Sequence, residues 1–529
     1  MMPYWGTLRL PLTFSIVVSS IEKMNPIPLW YGVFIFDFDF FLGVDYYFVD
    51  MLFNSIGFLI FFCTVTPLYF ILPQRFRWGL LLLASCYFYM AFIPWYILVL
   101  FCLIVFDYIF GIQIEKTQGK KRKLWLYLSI FSNIGALFVF KYFNFFNENL
   151  SFLFEKFHLF YPVNNLSLAL PLGLSFHTFQ SLAYVIEVYK GNTKAERHLG
   201  IYALYVMFFP QLVAGPIERP NHMLPQFRVI HYFSFSRFVL GAERMMWGFF
   251  KKIVVADHLA VLVNIVYGSP TEFSGPSLVL ATIYFAFQIY CDFSGYCDIA
   301  IGAAQILGFD LSENFNTPYF SSSMSEFWRR WHMSLSSWFR DYVYIPLGGS
   351  RSGEMKIAFN LFLTFLLSGL WHGASWTFVM WGGLNGVYLI FGRLKKKYFE
   401  YKKVVLWGLN LSVLGTFLLT CFAWIFFRAS TVSEAWYIVS HLHQGWLHVT
   451  ESSLWNHVLY FDRIDTDFFL ALFGIWVVIF VEYSKNFLMN LKILFHSSFF
   501  IRTIFYTMLF IFICTLWEGR GTEFIYFQF

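Results

Sequence analysis

WYILVLFCLIVFDYIFGI, residues 95–112, carries a single charged side chain, Asp107. Coiled as a helix at about 1.5 Å per residue it reaches about 27 Å, close to the ~30 Å hydrocarbon core of a bilayer. It reads as a membrane span. Comparable apolar runs succeed one another along the chain: 55–72, 78–92, 124–140, 278–290, 404–427, 468–483 and 499–517. With weaker segments they predict roughly a dozen spans or half-spans. Strand-like alternation of barrel length is absent, so the expected fold class is all-α, a polytopic helical bundle.

Composition agrees. Apolar residues make up 58%, aromatic residues 23% and charged residues 13%, with a mean hydropathy of +0.60, whereas a soluble domain carries about 25% charged residues. The net charge of +6 is clustered at Arg75 with Arg77, at Lys120–Lys123 and at Arg393–Lys403. By the positive-inside rule these short loops face the cytoplasm. Each basic run abuts a span, which speaks for membrane lipids and against nucleic acid as a partner. The seven cysteines form no CxxC pair, so neither a disulfide framework nor a metal site is expected.

Residues 1–50 differ from the rest. The stretch 28–50 is aromatic but holds Asp37, Asp39, Asp45 and Asp50, each costly at bilayer depth. The run before it is too short to span and lacks the basic flank and cleavage site of a signal peptide. Residues 1–50 are therefore expected to be an atypical extension, with a start at Met51 and one domain over 51–529.

The stretch FWRRWHMSLSSWFRDYVYIPLGGSR, residues 327–351, is the polar exception among these runs. Ser323 and Glu326 form a capping box that starts a helix, and Pro346 with Gly348 and Gly349 ends it. At helical spacing Trp328, Trp331, His332, Leu335, Trp338, Phe339 and Tyr342 share one face, and Arg329, Arg330, Ser336, Ser337 and Arg340 the other. This predicts an amphipathic helix over 326–343 at a membrane face or funnel wall. His332 lies in the aromatic stripe, where a plain hydrogen-bonded histidine is the simpler reading.

NLFLTFLLSGLWHGASWTFVMWGGLNG, residues 360–386, alters the balance. His372 sits deep in an apolar span, among glycines at 369, 373, 382, 383 and 386 that let helices approach closely. An ionisable residue there is a functional candidate. A neutral imidazole can take a proton from a hydroxyl and return it to a leaving thiol. Other signals are weaker: Gly173–His177 lacks the second glycine of a nucleophile elbow, and His441, His443 and His448 have no carboxylate nearby. Asp292, Ser294 and Asp298 are explained as well by hydrogen bonds between helices as by catalysis.

These motifs carry a resemblance. Together with PLGLSFHTFQSLAYVIEVYKG (171–191), FFPQLVAGPIERP (208–220), FFKKIVVADHLA (249–260), YCDFSGYCDIAIGAAQILGF (290–309) and FIYFQF (524–529), the chain resembles the membrane-bound O-acyltransferases. Within them it is similar to the bacterial branch serving O-acetylation of an exported polysaccharide such as alginate. The resemblance implies a helical ring or funnel around a transmembrane tunnel in the inner membrane, and acetyl-CoA as acyl donor with no metal or prosthetic group. It implies a polysaccharide acceptor and periplasmic or extracellular acetyltransferase partner proteins. On it, His372 at the constriction is the general base and His332, nearer the cytoplasmic mouth, orients the thioester. Arg329, Arg330, Arg340, Lys251 and Lys252 would hold the phosphates of coenzyme A, arginine forks matching phosphate oxygens in pairs. Peptidoglycan or another glycan is an alternative acceptor, and a non-enzymatic exporter of polysaccharide or lipid the alternative from another class.

Overall fold

The structure, a computed structural model, describes residues 51–212, 215–398, 405–406, 409–446, 464–487, 499–516 and 524–525. The extension read at 1–50 lies outside the described residues.

Helices begin where local chemistry expects. Ser55 Oγ accepts the Phe58 N–H at 3.1 Å and opens Ile56–Ile71, which stops ahead of Pro73. The run at 95–112 becomes Tyr96–Lys116. Among the described residues, five helices are long and apolar enough to cross a membrane: Tyr96–Lys116, Gly119–Lys156, Gly275–Leu307, Glu354–His372 and Leu411–Arg428. The shorter apolar helices Ile56–Ile71, Phe469–Ser484 and Thr503–Leu516 accompany them. The chain is thus an all-α, multi-pass membrane protein. Among the described residues, strand pairing is confined to Val405–Leu406 against Leu409–Asn410. The run read as a span from 404 becomes helical only at Leu411, where the Asn410 side chain caps the Ser412 N–H at 3.1 Å.

Gly275–Leu307, about 50 Å long, is the central element, buried along most of its length. The apolar run 278–290 is only its first half. The polar run after it stays helical because its side chains find partners on other segments. Asp292 pairs with Lys252 Nζ at 2.7 Å and accepts the Ile525 N–H at 2.7 Å. Asp298 pairs with Arg244 at 3.0 Å and with Lys251 at 2.5 Å. Glycines seat the neighbouring helix Phe235–Phe249 against it: a Cβ on Gly241 would stand 2.6 Å from the Gly302 carbonyl, and one on Gly248 2.6 Å from that of Gly295. Any larger residue would push the two helices apart.

The basic clusters gather at one end of the bundle. Arg122 donates to the Tyr189 carbonyl at 2.6 Å, Arg77 to that of His231 at 2.6 Å, and Arg393 pairs with Glu354 at 3.0 Å. Residues 309–344 leave this end, turn back inside the protein and return. Asp310 is bonded to Gln226 beside the basic end, and Tyr342 donates to Glu187 at 3.0 Å on the way out. Between those points Asn314 reaches Cys297 and His332 packs on Phe293, both well inside the central helix.

This excursion replaces the amphipathic helix expected over 326–343. Met324–Arg330 and Met333–Phe339, the latter running on into a π turn at Arg340–Tyr344, are two pieces, broken at Trp331 and His332. The break is imposed from outside the segment: Asn316 N–H donates to Arg330 O and Met333 N–H to Asn314 O, both at 2.9 Å. The faces survive the break. Trp328, Trp331, His332, Leu335, Trp338 and Phe339 are buried, while Arg329 and Arg340 are exposed. The cap is present too, with Ser323 Oγ accepting the Glu326 N–H at 3.2 Å, but the Glu326 carboxylate reaches back to Ser322 N–H at 2.8 Å.

Candidate active site

His332 sits at the break with φ 43° and ψ 57°, a left-handed conformation that a β-carbon disfavours. Such strain, of order 1–3 kcal/mol, persists only where surroundings over-determine it. Here Asn314 does so. Its Oδ1 accepts from Ser334 N–H at 3.2 Å and from Ser334 Oγ at 3.0 Å, and lies 3.1 Å from His332 Nδ1. A backbone N–H can only donate, so that Asn314 atom is the carbonyl oxygen and His332 Nδ1 must bear the proton. In the neutral ring Nε2 then holds a lone pair. The ring is fully buried, and Nε2 has no hydrogen-bond partner among the described residues.

The ring packs edge-on to Phe293 at 4.7 Å between centroids and lies 6.3 Å from Phe176 and 6.4 Å from Trp371. Trp371 also lies 4.9 Å from the ring of His372, which is enclosed by Trp381 at 5.0 Å and Phe427 at 5.5 Å. At about 1.5 Å of rise per residue, Phe176 lies about 21 Å from Lys190, Phe293 about 21 Å from Leu307 and Trp371 about 26 Å from Glu354. Three helices thus place both histidines in one aromatic layer deep in the bundle. By this measure His332, on Phe293, lies about 5 Å nearer the basic end than Trp371 and His372, a smaller offset than a place at the mouth, because the inward turn of 309–344 carries it well into the bundle.

His372 is the last residue of Glu354–His372, and the chain turns back through Gly373 into Trp376–Tyr398. The two helices touch through glycines, a Cβ on Gly382 meeting the Phe365 carbonyl at 2.4 Å and Gly369 Cα at 3.1 Å. Gly382→Leu is expected to splay this hairpin, lowering both the unfolding temperature in detergent and activity; a variant as stable and active as the parent would show that the seam yields.

The cationic candidates divide. Lys251 is 3% exposed, held by Asp298 and by Ser294 Oγ at 2.9 Å; Lys252 is 5% exposed, held by Asp292 and by Asp257 at 2.9 Å. Their charges are matched inside the protein, and removing one partner of such a pair typically costs about 3–5 kcal/mol. Arg330 pairs with Glu326 at 2.7 Å and Arg340 with Asp341 at 2.8 Å. Arg329 is exposed, with no ion pair among the described residues. Asp292, Ser294 and Asp298 serve as helix ties. Of the loop histidines, His441 stacks on Tyr437 at 3.8 Å, and His448 lies outside the described residues.

Three contributors escaped sequence reading. Asn314 gave no signal beyond being polar. Lys141 and Tyr142, from a π turn at Phe138–Tyr142, bond to the end of the His372 helix; the signal available was a lysine inside an apolar run.

Residues 197–430 match the model of the membrane-bound O-acyltransferase family. A probable alginate O-acetylase of Pseudomonas aeruginosa is 40% identical over 397 residues, covering 73% of this chain and 74% of that protein. The chain belongs to the membrane-bound O-acyltransferase family. It is an acyltransferase, which sets aside the exporter alternative. A peptidoglycan O-acetyltransferase of Helicobacter pylori is 37% identical over 423 residues, covering 73% of this acyltransferase and 78% of the relative. A teichoic acid D-alanyltransferase of Bacillus subtilis is 29% identical over 273 residues, covering 48% and 68%. Three acceptor chemistries thus occur among relatives.

Proposed function

We propose that this acyltransferase takes an acetyl group from cytosolic acetyl-CoA and passes it across the bacterial inner membrane for O-acetylation of an exported polysaccharide such as alginate, with acetyltransferase partner proteins on the outer side. The observation that carries the reading is the pair of buried histidines that both pack near Trp371, His332 being borne by a segment that enters from the basic end. A donor approaching from the cytosol meets that segment first. The alginate O-acetylase relatives support the acceptor.

His372 acts as general base on the acceptor hydroxyl. His332, with its Nδ1 proton committed to Asn314, offers Nε2 as a second proton acceptor. It can donate a hydrogen bond to a thioester or leaving thiolate only after taking up a proton, which narrows the orienting role expected for it. No metal or prosthetic group enters this scheme. The phosphates of coenzyme A fall to Arg329, Arg330 and Arg340, while the internal ion pairs of Lys251 and Lys252 favour a structural role for those two. Arg329→Glu with Arg330→Glu is expected to raise the KM for acetyl-CoA about tenfold, the loss of roughly one charge-assisted hydrogen bond. An unchanged KM would return these arginines to headgroup anchoring.

The test of the whole reading is release of free coenzyme A from acetyl-CoA by the enzyme in inner-membrane vesicles, with partner proteins and an alginate oligomer present. Consumption only with a peptidoglycan fragment would favour the second reading, which the Helicobacter relative supports. No consumption with either acceptor would overturn the donor assignment.

A further inference from the structure

The helix Glu354–His372 ends abruptly, and its end is held from a distant part of the chain. Any α-helix leaves its last four carbonyls without intrahelical partners. Here the chain leaves in extended form at Gly373, with φ −155° and ψ 146°, and the closing backbone bond, Gly373 N–H to Gly369 O, is long at 3.3 Å. Three successive carbonyls beyond it are taken by two adjacent side chains of another helix. Tyr142 Oη donates to Leu370 O at 3.0 Å, and Lys141 Nζ donates to Trp371 O at 2.9 Å and His372 O at 2.8 Å.

The donor residues are placed by an irregularity. Gly119–Lys156 is interrupted by the π turn Phe138–Tyr142, whose extra residue shifts the helical phase. An ammonium also suits the site electrically, since the C-terminal end of a helix carries partial negative charge. It can supply more than one hydrogen at once, whereas a hydroxyl supplies one.

The geometry points to Lys141 as a positioning residue for His372: its ammonium fixes the last two carbonyls of the helix and thereby the direction of the imidazole beside Trp371, with Tyr142 holding the preceding carbonyl. The inference rests on the reading of His372 as the catalytic base. Lys141 itself touches no reacting atom. It acts through the backbone of the residue that does, and a misplacement of about 1 Å at a reacting group can cost about 10²-fold in rate.

The experiment compares Lys141→Met, Lys141→Arg and His372→Ala in the full-length enzyme in vesicles, with acetyl-CoA as donor and the alginate oligomer with partner proteins as acceptor. Lys141→Met is expected to lower kcat about 10- to 100-fold with an unchanged KM for acetyl-CoA. Lys141→Arg, which can still donate to both carbonyls, is expected to recover most of the loss. Combined with His372→Ala, Lys141→Met is expected to lower the residual rate no further. If Lys141→Met does not accumulate in membranes, Lys141→Gln, which keeps one donor group, takes its place in the same comparison. Parental kcat in the Met variant, absence of rescue by arginine, or a parallel rise in KM would overturn the inference while His372→Ala remains inactive. Full activity of His372→Ala would overturn the catalytic reading itself, and this inference with it.

Discussion

His372→Ala is expected to reduce acyl transfer by about 10²-fold or more, with undiminished accumulation in the membrane. The loss should fall on kcat, since the imidazole is placed to move a proton and the proposed donor phosphates are bound elsewhere. Folding should survive, because Trp371, Trp381 and Phe427, which enclose the ring, also pack on other rings, Trp381 on Phe427 at 5.2 Å and Trp371 on Phe179 at 5.0 Å. The helix end is held through backbone carbonyls that alanine retains. His372→Gln, closer in size, is expected to be as inactive as alanine, since an amide cannot accept a proton at neutral pH. Parental turnover in either variant would remove His372 from the chemistry and shift the burden to His332.

The spans were legible because hydrocarbon thickness sets a length that apolar runs display directly. Residues 95–112 needed no tertiary information to become Tyr96–Lys116. His372 was legible for the converse reason, an ionisable group where every neighbour is apolar. The break at His332 was not legible. Helical periodicity runs unbroken through Trp331 and His332, with no glycine or proline to stop it, and the bonds that interrupt it come from Asn314 and Asn316. Lys251 and Lys252 looked like surface cations because adjacent lysines usually are. Asp292 and Asp298, which hold them inside, sit in a motif some forty residues on, where only the fold unites them. Lys141 presents the same difficulty over a longer separation.

The last expectation concerns the tautomer of His332. Asn314→Leu removes the oxygen that His332 Nδ1, Ser334 N–H and Ser334 Oγ all address. Without that acceptor nothing holds the proton on Nδ1, and the tautomer with Nε2 protonated becomes populated, leaving no lone pair toward the aromatic layer. The left-handed backbone at His332 also loses its support. A fall in kcat of about 10²-fold is expected, the scale of losing a positioned proton acceptor. Asn314→Asp keeps an acceptor oxygen for the same donors and should retain clearly more activity than the leucine variant, although its carboxylate can no longer donate to Cys297 as the Asn314 amide does at 3.3 Å. The comparison sets the acceptor oxygen against apolar burial, because leucine suits the apolar surroundings but leaves three donors unpaired, whereas aspartate keeps the acceptor at the cost of a buried charge. If the charged variant is the more active of the two, the hydrogen bond to Nδ1 governs. Equal kcat in both variants, at equal membrane abundance, would mean that His332 does not exchange protons through Nε2, and its burial beside Trp371 would then be packing alone.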